Sequence, residues 1–183
     1  MSNLPVGTWT IDPMHSEVGF TVRHLMSKVR GTFTDFTGEI VTTSENPADS
    51  RVTATIEMAS VNTNNEMRDG HLRSAEVFNA DKNPQMTFVS TGITGSGEAY
   101  TINGDLTING VTKPVALDAE FFGVDSDNYG NTKLGAEAST KINRKDFNVD
   151  FNIPLEGGRA LLGNDITVTL TVQAALNVPA EAN

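Results

Sequence analysis

The chain of 183 residues contains no cysteine. Disulfides, thiol catalysis and thiolate metal sites are excluded with it. Long apolar runs are missing too. None exceeds three residues, Ala160–Leu162 being typical, whereas a spanning helix needs about 20. The opening Met-Ser-Asn-Leu-Pro-Val-Gly has no basic region followed by an apolar stretch, so it does not read as a secretory signal. Basic residues are scarce: 13 Lys and Arg stand against 23 Asp and Glu, a net charge of −10. Such a chain repels phosphate backbones and anionic surfaces, so neither nucleic-acid binding nor stable membrane insertion is expected. These absences point to a soluble, cytoplasmic protein. A mature periplasmic form that has lost a leader is not distinguished from it. Catalytic signatures are absent as well, with no Gly-x-Ser-x-Gly, phosphate loop, dinucleotide fingerprint or His-Glu-x-x-His.

What is abundant is threonine, 22 residues, and glycine, 16 residues. Threonine is β-branched and favours strands, and glycine marks turns and bulges. Period-two alternation recurs along the chain, and helical periods are nearly absent. In the clearest case Ile166, Val168, Leu170, Val172, Ala174 and Leu176 alternate with mostly polar partners. Similar alternation carries Val18–His24, Val52–Met58, Tyr100–Ile108, Val115–Phe121 and Leu134–Ile142. Residues 30–41 slip phase between Phe33 and Phe36, which predicts a bulge near Thr34–Asp35. Residues 85–93 put Met86 and Phe88 on one parity and Val89 and Ile93 on the other. Asn109–Gly110 predicts a tight hairpin, while the alternation runs unbroken through Gly104. A short helix is expected around Asn65–Leu72. No linker divides the chain, so one domain is expected over 1–183, with a core of about 7–176. About eight mostly antiparallel strands and one helix need either a sandwich or a closed barrel. A barrel with strands of about ten residues at about 40° tilt stands roughly 25 Å tall. The pattern alone does not separate a filled barrel from a hollow one.

Few residues suggest chemistry. His15 and His24 are nine apart and fall on opposite faces of an extended strand, so a shared metal is not expected. His24 shares a face with Val18, Phe20 and Val22. It reads either as a hydrogen-bonded core histidine or as a polar contact for a ligand head group. Arg68-Asp-Gly-His71-Leu-Arg73 is either a solvated helix face held by ion pairs or a polar gate at a barrel mouth. Arg144 either binds an anionic head group or pairs with Asp146 or Asp150. Asp125–Gly130 fails as a calcium loop, with Tyr129 at the fifth position and Ala136 at the twelfth. Ser16 beside His15 points the opposite way along a strand, so the two make no nucleophile and base. Nine Phe and six Met suit a long, flexible apolar guest if any of them line a cavity.

The stretch Trp9-Thr-Ile-Asp-Pro-Met-His15-Ser-Glu-Val-Gly-Phe20-Thr-Val-Arg-His24 resembles the opening signature of YceI-like proteins. Gly31-Thr-Phe-Thr-Asp-Phe36-Thr-Gly38, Arg68-Asp-Gly-His71-Leu-Arg-Ser, Pro84-Gln-Met-Thr-Phe88 and Ile142-Asn-Arg144-Lys-Asp-Phe147 follow in the family's order. So does Gly104-Asp-Leu-Thr-Ile-Asn-Gly110-Val-Thr-Lys-Pro114. The likeness spans roughly Gly7 to Ala175. Asn148 stands where the family usually has glycine, and Gly163-Asn-Asp165 where Gly-Asp is usual. The resemblance implies an all-β, single extended eight-stranded antiparallel lipocalin-like β-barrel with one short helix. It implies binding, transport or storage of a long-chain amphiphile such as a polyprenyl diphosphate or a quinone-type isoprenoid, with no cofactor beyond that lipid, in a homodimer of the cytoplasmic type.

Strand parity supplies the candidate tail contacts: Phe20, Val22, Ile56, Met58, Met86, Phe88, Leu106, Ile108, Phe121 and Leu170. Candidate head-group contacts are His24, Arg68, His71 and Arg144. No catalytic or metal residue is assigned. Two other readings stand beside this one. The first is a lipid-directed hydrolase or isomerase using His24 with Asp12 or Asp69. The second is a stress-related, metal-associated binding protein.

Overall fold

The computed structural model describes residues 3–152, 156–157 and 161–178. The strands are β1 (Gly7–Ile11), β2 (Glu17–His24), β3 (Ser27–Phe33), β4 (Phe36–Thr42), β5 (Arg51–Glu57) and β6 (Val61–Asn62). After helix α1 (Glu66–Arg73) come β7 (Gln85–Ser96), β8 (Ala99–Ile108), β9 (Val111–Ser126), β10 (Thr132–Asn143) and β11 (Leu162–Leu176). Every pairing is antiparallel.

The sheet closes on itself. β1, β4, β5, β7, β8, β9, β10 and β11 are hydrogen-bonded in that order, and β11 returns to β1. The remaining strands continue three of these staves: β2 extends β1, β3 extends β4, and β6 extends β5. The result is an eight-stranded up-and-down barrel with no free edge along its closed ring. The phase slip at Thr34–Asp35 is a break between β3 and β4. A matching break lies at Asp12–Ser16, and Gly7–Ile11 below it forms a strand that the alternation beginning at Val18 did not include. Asp12 organises that break. Its carboxylate accepts from the Met14 amide at 3.0 Å, meets His15 Nδ1 at 2.8 Å and lies 3.5 Å from Lys133 Nζ. The His15 contact, the largest influence, holds the Asp12 carboxyl below its ordinary value. Ser16 Oγ accepts from the Gln173 amide, satisfying β11 where no strand faces it.

Two further irregularities set which side chains face inward. The β7–β8 register shifts between Ser90 and Gly92. The extra residue flips parity, so Ile93 lies opposite Ile102 although Phe88 lies opposite Leu106. This is why Val89 and Ile93, which share a parity, do not share a face. The β9–β10 register shifts at Gly135–Ala136, leaving Phe122 as the extra residue and exposed. The hairpin turn is at Asn109–Gly110, both with positive φ as a two-residue turn of the mirror-image type requires. Helix α1 begins one residue later than expected, with Asn65 as N-cap accepting from the Arg68 amide.

One end of the barrel is closed by packing. Trp9 is 0% exposed and clusters with Leu4, Leu134 and Ala174. Its Nε1 donates to Thr42 Oγ1 at 3.1 Å, and that hydroxyl donates to the Pro5 carbonyl at 2.6 Å. The indole therefore brings a satisfied polar atom into an apolar floor. Trp9→Ala is expected to lower unfolding free energy by about 3–5 kcal/mol, read from urea denaturation followed by circular dichroism. A loss under about 1 kcal/mol would show that this cluster does not hold the end shut.

Candidate functional site

Above the Trp9 floor the inward faces do not meet. They enclose a cavity of about 490 Å³, within the range of small-molecule sites. Its walls come from all eight staves and are almost wholly aliphatic and aromatic. Phe20, Val22, Ile56, Met58, Met86, Phe88, Leu106, Ile108 and Leu170 all line it. Phe121 does not. It faces inward but sits lower, opposite Ala136, and packs on the floor cluster with Trp9 and Leu134. Parity identified its face and could not supply its height. Phe33, Phe36, Leu117, Phe147 and Phe151 also line the cavity and were not singled out. Leu117 carried the right parity, and Phe33 and Phe36 were obscured by the break between them. Phe147 and Phe151 lie in a non-periodic connection that gives no such signal.

The lumen stays open because large side chains lie against glycines. A Cβ built on Gly104 would meet Phe88 Cζ at 2.3 Å, and one on Gly31 would meet Phe20 Cζ at 2.4 Å. Each ring thus lies over the backbone of a neighbouring strand. Phe20 and Phe33 then pack at 5.6 Å between ring centroids.

Polar groups gather at the end opposite Trp9. His24, Arg68, His71 and Arg144 all line the cavity there. His24 ends β2, Arg68 and His71 project from α1, and Arg144 follows β10. The two arginines are anchored without carboxylates. Arg68 donates from Nε to Thr63 Oγ1 at 2.8 Å and from Nη2 to the Thr63 carbonyl at 2.9 Å. Arg144 is only 5% exposed. It donates to the carbonyls of Gly163, Val149 and Phe151 and to Asn164 Oδ1. Four of its five N–H groups are thereby committed. Burial pulls its pKa below the ordinary arginine value, against the raising influence of Asp150. The guanidinium stitches the Arg144–Phe151 connection to the start of β11.

His71 Nε2 bonds Glu76 at 2.9 Å, and its ring meets Phe151 edge-on at 4.5 Å. The ring of His24 has no hydrogen-bond partner among the described residues. Asp69 is buried and accepts from the Thr63 amide at 2.9 Å, while Asp12 is held by His15. Neither carboxylate hydrogen-bonds His24. The Arg68–Arg73 segment is thus tied to backbone and Thr63 rather than held by ion pairs along its own face. Among the described residues no three His, Asp or Glu side chains group as a metal site would require. No helix there is long and apolar enough to cross a membrane. An apolar sleeve with hydrogen-bond donors at one end can shelter a long chain and meet a polar terminus.

Comparison with known proteins follows this geometry. The YceI-like domain matches residues 9–174. The UPF0312 protein plu2095 of Photorhabdus laumondii is 48% identical over 139 residues, covering 75% of this chain and 72% of its own. The crystal structure of the Campylobacter jejuni YCEI protein superposes with a TM-score of 0.73 at 33% identity, over 97% of this chain and 100% of that one. A polyisoprenoid binding domain from Saccharophagus degradans, implicated in plant cell wall breakdown, shares the fold at a TM-score of 0.69. It is 13% identical and covers 94% of this chain and 100% of that one.

Two variants test the wall and the stitch. Gly31→Ala should force the Phe20 ring into the lumen and reduce uptake of the isoprenoid alcohol retinol, and Phe20→Leu in the same chain should restore it, because only side chains crowd that position. Unchanged uptake would show that Gly31 does not govern the lumen. Arg144→Met should cost more than about 2 kcal/mol in urea denaturation, because three backbone carbonyls lose their donor.

Proposed function

The chain belongs to the YceI-like family, and from that premise we propose that it is a non-catalytic carrier of a long-chain amphiphile. The tail is an isoprenoid, as in a polyprenyl diphosphate or a quinone. It lies along the sleeve lined by Phe20, Ile56, Phe88, Leu106 and Leu170. The head group rests among His24, Arg68, His71 and the Arg144 N–H that has no partner among the described residues. The observation that carries this reading is the open cavity of about 490 Å³, mostly apolar along its walls, with His24, Arg68, His71 and Arg144 grouped at one end. Each methylene moved from water into it is worth about 0.8 kcal/mol, so tight binding needs no covalent or catalytic step. The Saccharophagus degradans domain of the same fold, described as polyisoprenoid binding, supports the ligand class.

Gentle purification followed by native mass spectrometry and lipid extraction should reveal a co-purified amphiphile. Empty protein that also fails to bind geranylgeraniol would sink the reading. His24→Ala should weaken binding severalfold, with no turnover of a prenyl ester or diphosphate by the unaltered protein. Turnover abolished in His24→Ala would favour the hydrolase or isomerase instead.

A further inference from the structure

The net charge of −10 hides a local reversal. From Val18 to Thr34 the chain carries Arg23, Lys28 and Arg30 and no acidic residue. This is the hairpin of β2 and β3 apart from Glu17, the first residue of β2 and the only acidic one in the two strands. Arg23 lies directly opposite Lys28, and Thr21 opposite Arg30, so all three cations share one face of the hairpin. They are exposed, and none pairs with a carboxylate among the described residues. Like charges placed directly across a ladder repel, and the acidic neighbours, Glu17 at the far end of β2 and Asp165 in the irregular β11 stretch opposite Arg23, make no ion pair with them among the described residues.

The tip of the same hairpin is apolar where turn chemistry asks for asparagine and glycine. His24 pairs with Ser27, leaving Leu25–Met26 as the two-residue turn. The chain meets that demand with Asn109–Gly110 between β8 and β9 and does not meet it here. Leu25 is held at φ 53, a left-handed conformation unfavourable for leucine, with its amide bonded to the Leu161 carbonyl. Leu25 is 48% exposed and Met26 96%. Both follow His24 directly at the donor-rich end of the cavity. On α1 at that same end Met67, beside Arg68, is 88% exposed. Local cost, unpaired cations and exposed apolar side chains thus coincide beside the cavity opening.

We propose that the β2–β3 hairpin docks this end of the barrel on an anionic phospholipid bilayer, Leu25 and Met26 entering the interface and Arg23, Lys28 and Arg30 meeting lipid phosphates. The contact is peripheral and reversible, since two apolar residues do not anchor a protein irreversibly. Glu66 stands beside Met67 on α1, so the attraction comes from the hairpin and not from the helix. Charge at short range governs such contacts, because a salt-screened surface feels cations within about 10 Å more than the distant net charge. The proposal rests on the carrier reading for its purpose, loading or delivering an amphiphile that resides in a bilayer. The docking itself needs no cargo.

The test is co-sedimentation of the full chain with vesicles of phosphatidylcholine alone or mixed with phosphatidylglycerol. The unaltered protein should bind the mixed vesicles at about 0.1 M salt, where the Debye length is about 10 Å, ignore the neutral ones and release as salt rises further. Lys28→Glu should weaken binding at least about fivefold, as loss of one cation near the surface predicts. Met26→Asp should weaken it at least about tenfold by barring insertion. Tyr129→Ser, in the β9–β10 turn at the far end, should leave it unchanged. No binding to mixed vesicles at about 0.1 M salt overturns the proposal. So does binding that neither hairpin variant reduces, or that Tyr129→Ser reduces as much. Circular dichroism confirms that each variant folds, and Lys28→Glu carries the test if Met26→Asp does not. Retinol delivered from ethanol reads the cavity separately: failure there defeats the carrier reading while the vesicle result still decides docking.

Discussion

The seam between β1 and β11 consists of only three residue pairs, from Trp9 with Leu176 to Ile11 with Ala174. It nonetheless converts an open sheet into a closed one. Without it β1 would present unpaired backbone groups to solvent, and the inward apolar faces would have no reason to enclose anything. Trp9 sits in that seam and turns its indole inward, so the residue that closes the ring also closes one end. The seam stops at Asp12, because the Asp12–Ser16 break hands the β11 edge from β1 to β2. A single edge thus serves two strands, with Ser16 hydrogen-bonding Gln173 at the handover.

Closure fixes the circumference, and side-chain placement decides whether the space inside is filled. Nine phenylalanines would be enough to plug much of a small barrel. They do not, because the ring tips of Phe20 and Phe88 occupy the space a side chain would take at Gly31 and Gly104 of adjacent strands. The cavity is therefore a consequence of where glycine occurs within strands. Gly104 costs local strand propensity, and the return is room for a ring against the wall. A void of this size with no guest leaves its lining without packing partners, a cost that an apolar occupant removes.

Much of this was legible in the chain, and the failures have physical causes. Six alternating segments and two irregular ones, 30–41 and 85–93, correspond to the eight staves, each with one wet and one buried face. Asn109–Gly110 was legible as a turn, and Gly104 as strand interior, because alternation continues through one and stops at the other. Asn148, where the family usually has glycine, is at φ 56 and ψ 26, the left-handed region asparagine tolerates. What parity cannot report is height along the barrel, which is why Phe121 was placed with the cavity and not with the floor. It also fails wherever one residue is inserted, as at Ser90–Gly92 and beside Phe122. The roles of Arg68 and Arg144 were hidden for a different reason. Their acceptors are mainly backbone carbonyls, and carbonyls carry no sequence signature.

The two ends of the barrel solve opposite electrostatic problems. At the floor the polar atoms of Trp9 and Thr42 satisfy each other, so that end is dry and neutral. At the other end Arg144 is buried without an ion-paired carboxylate among the described residues, its charge spread over three carbonyl dipoles and an amide. Carbonyl oxygens stabilise a guanidinium without cancelling its charge, so Arg144 keeps its donors at this end beside the acidic Asp69, Glu76 and Asp150. On the proposed carrier reading, a chain entering tail first would meet falling polarity as it descends, and its polar terminus would stop where donors remain. The same gradient opposes the reverse orientation, because a charged terminus at the Trp9 floor would be desolvated without a partner. Orientation follows from the asymmetry of the ends, with no residue needed to select it.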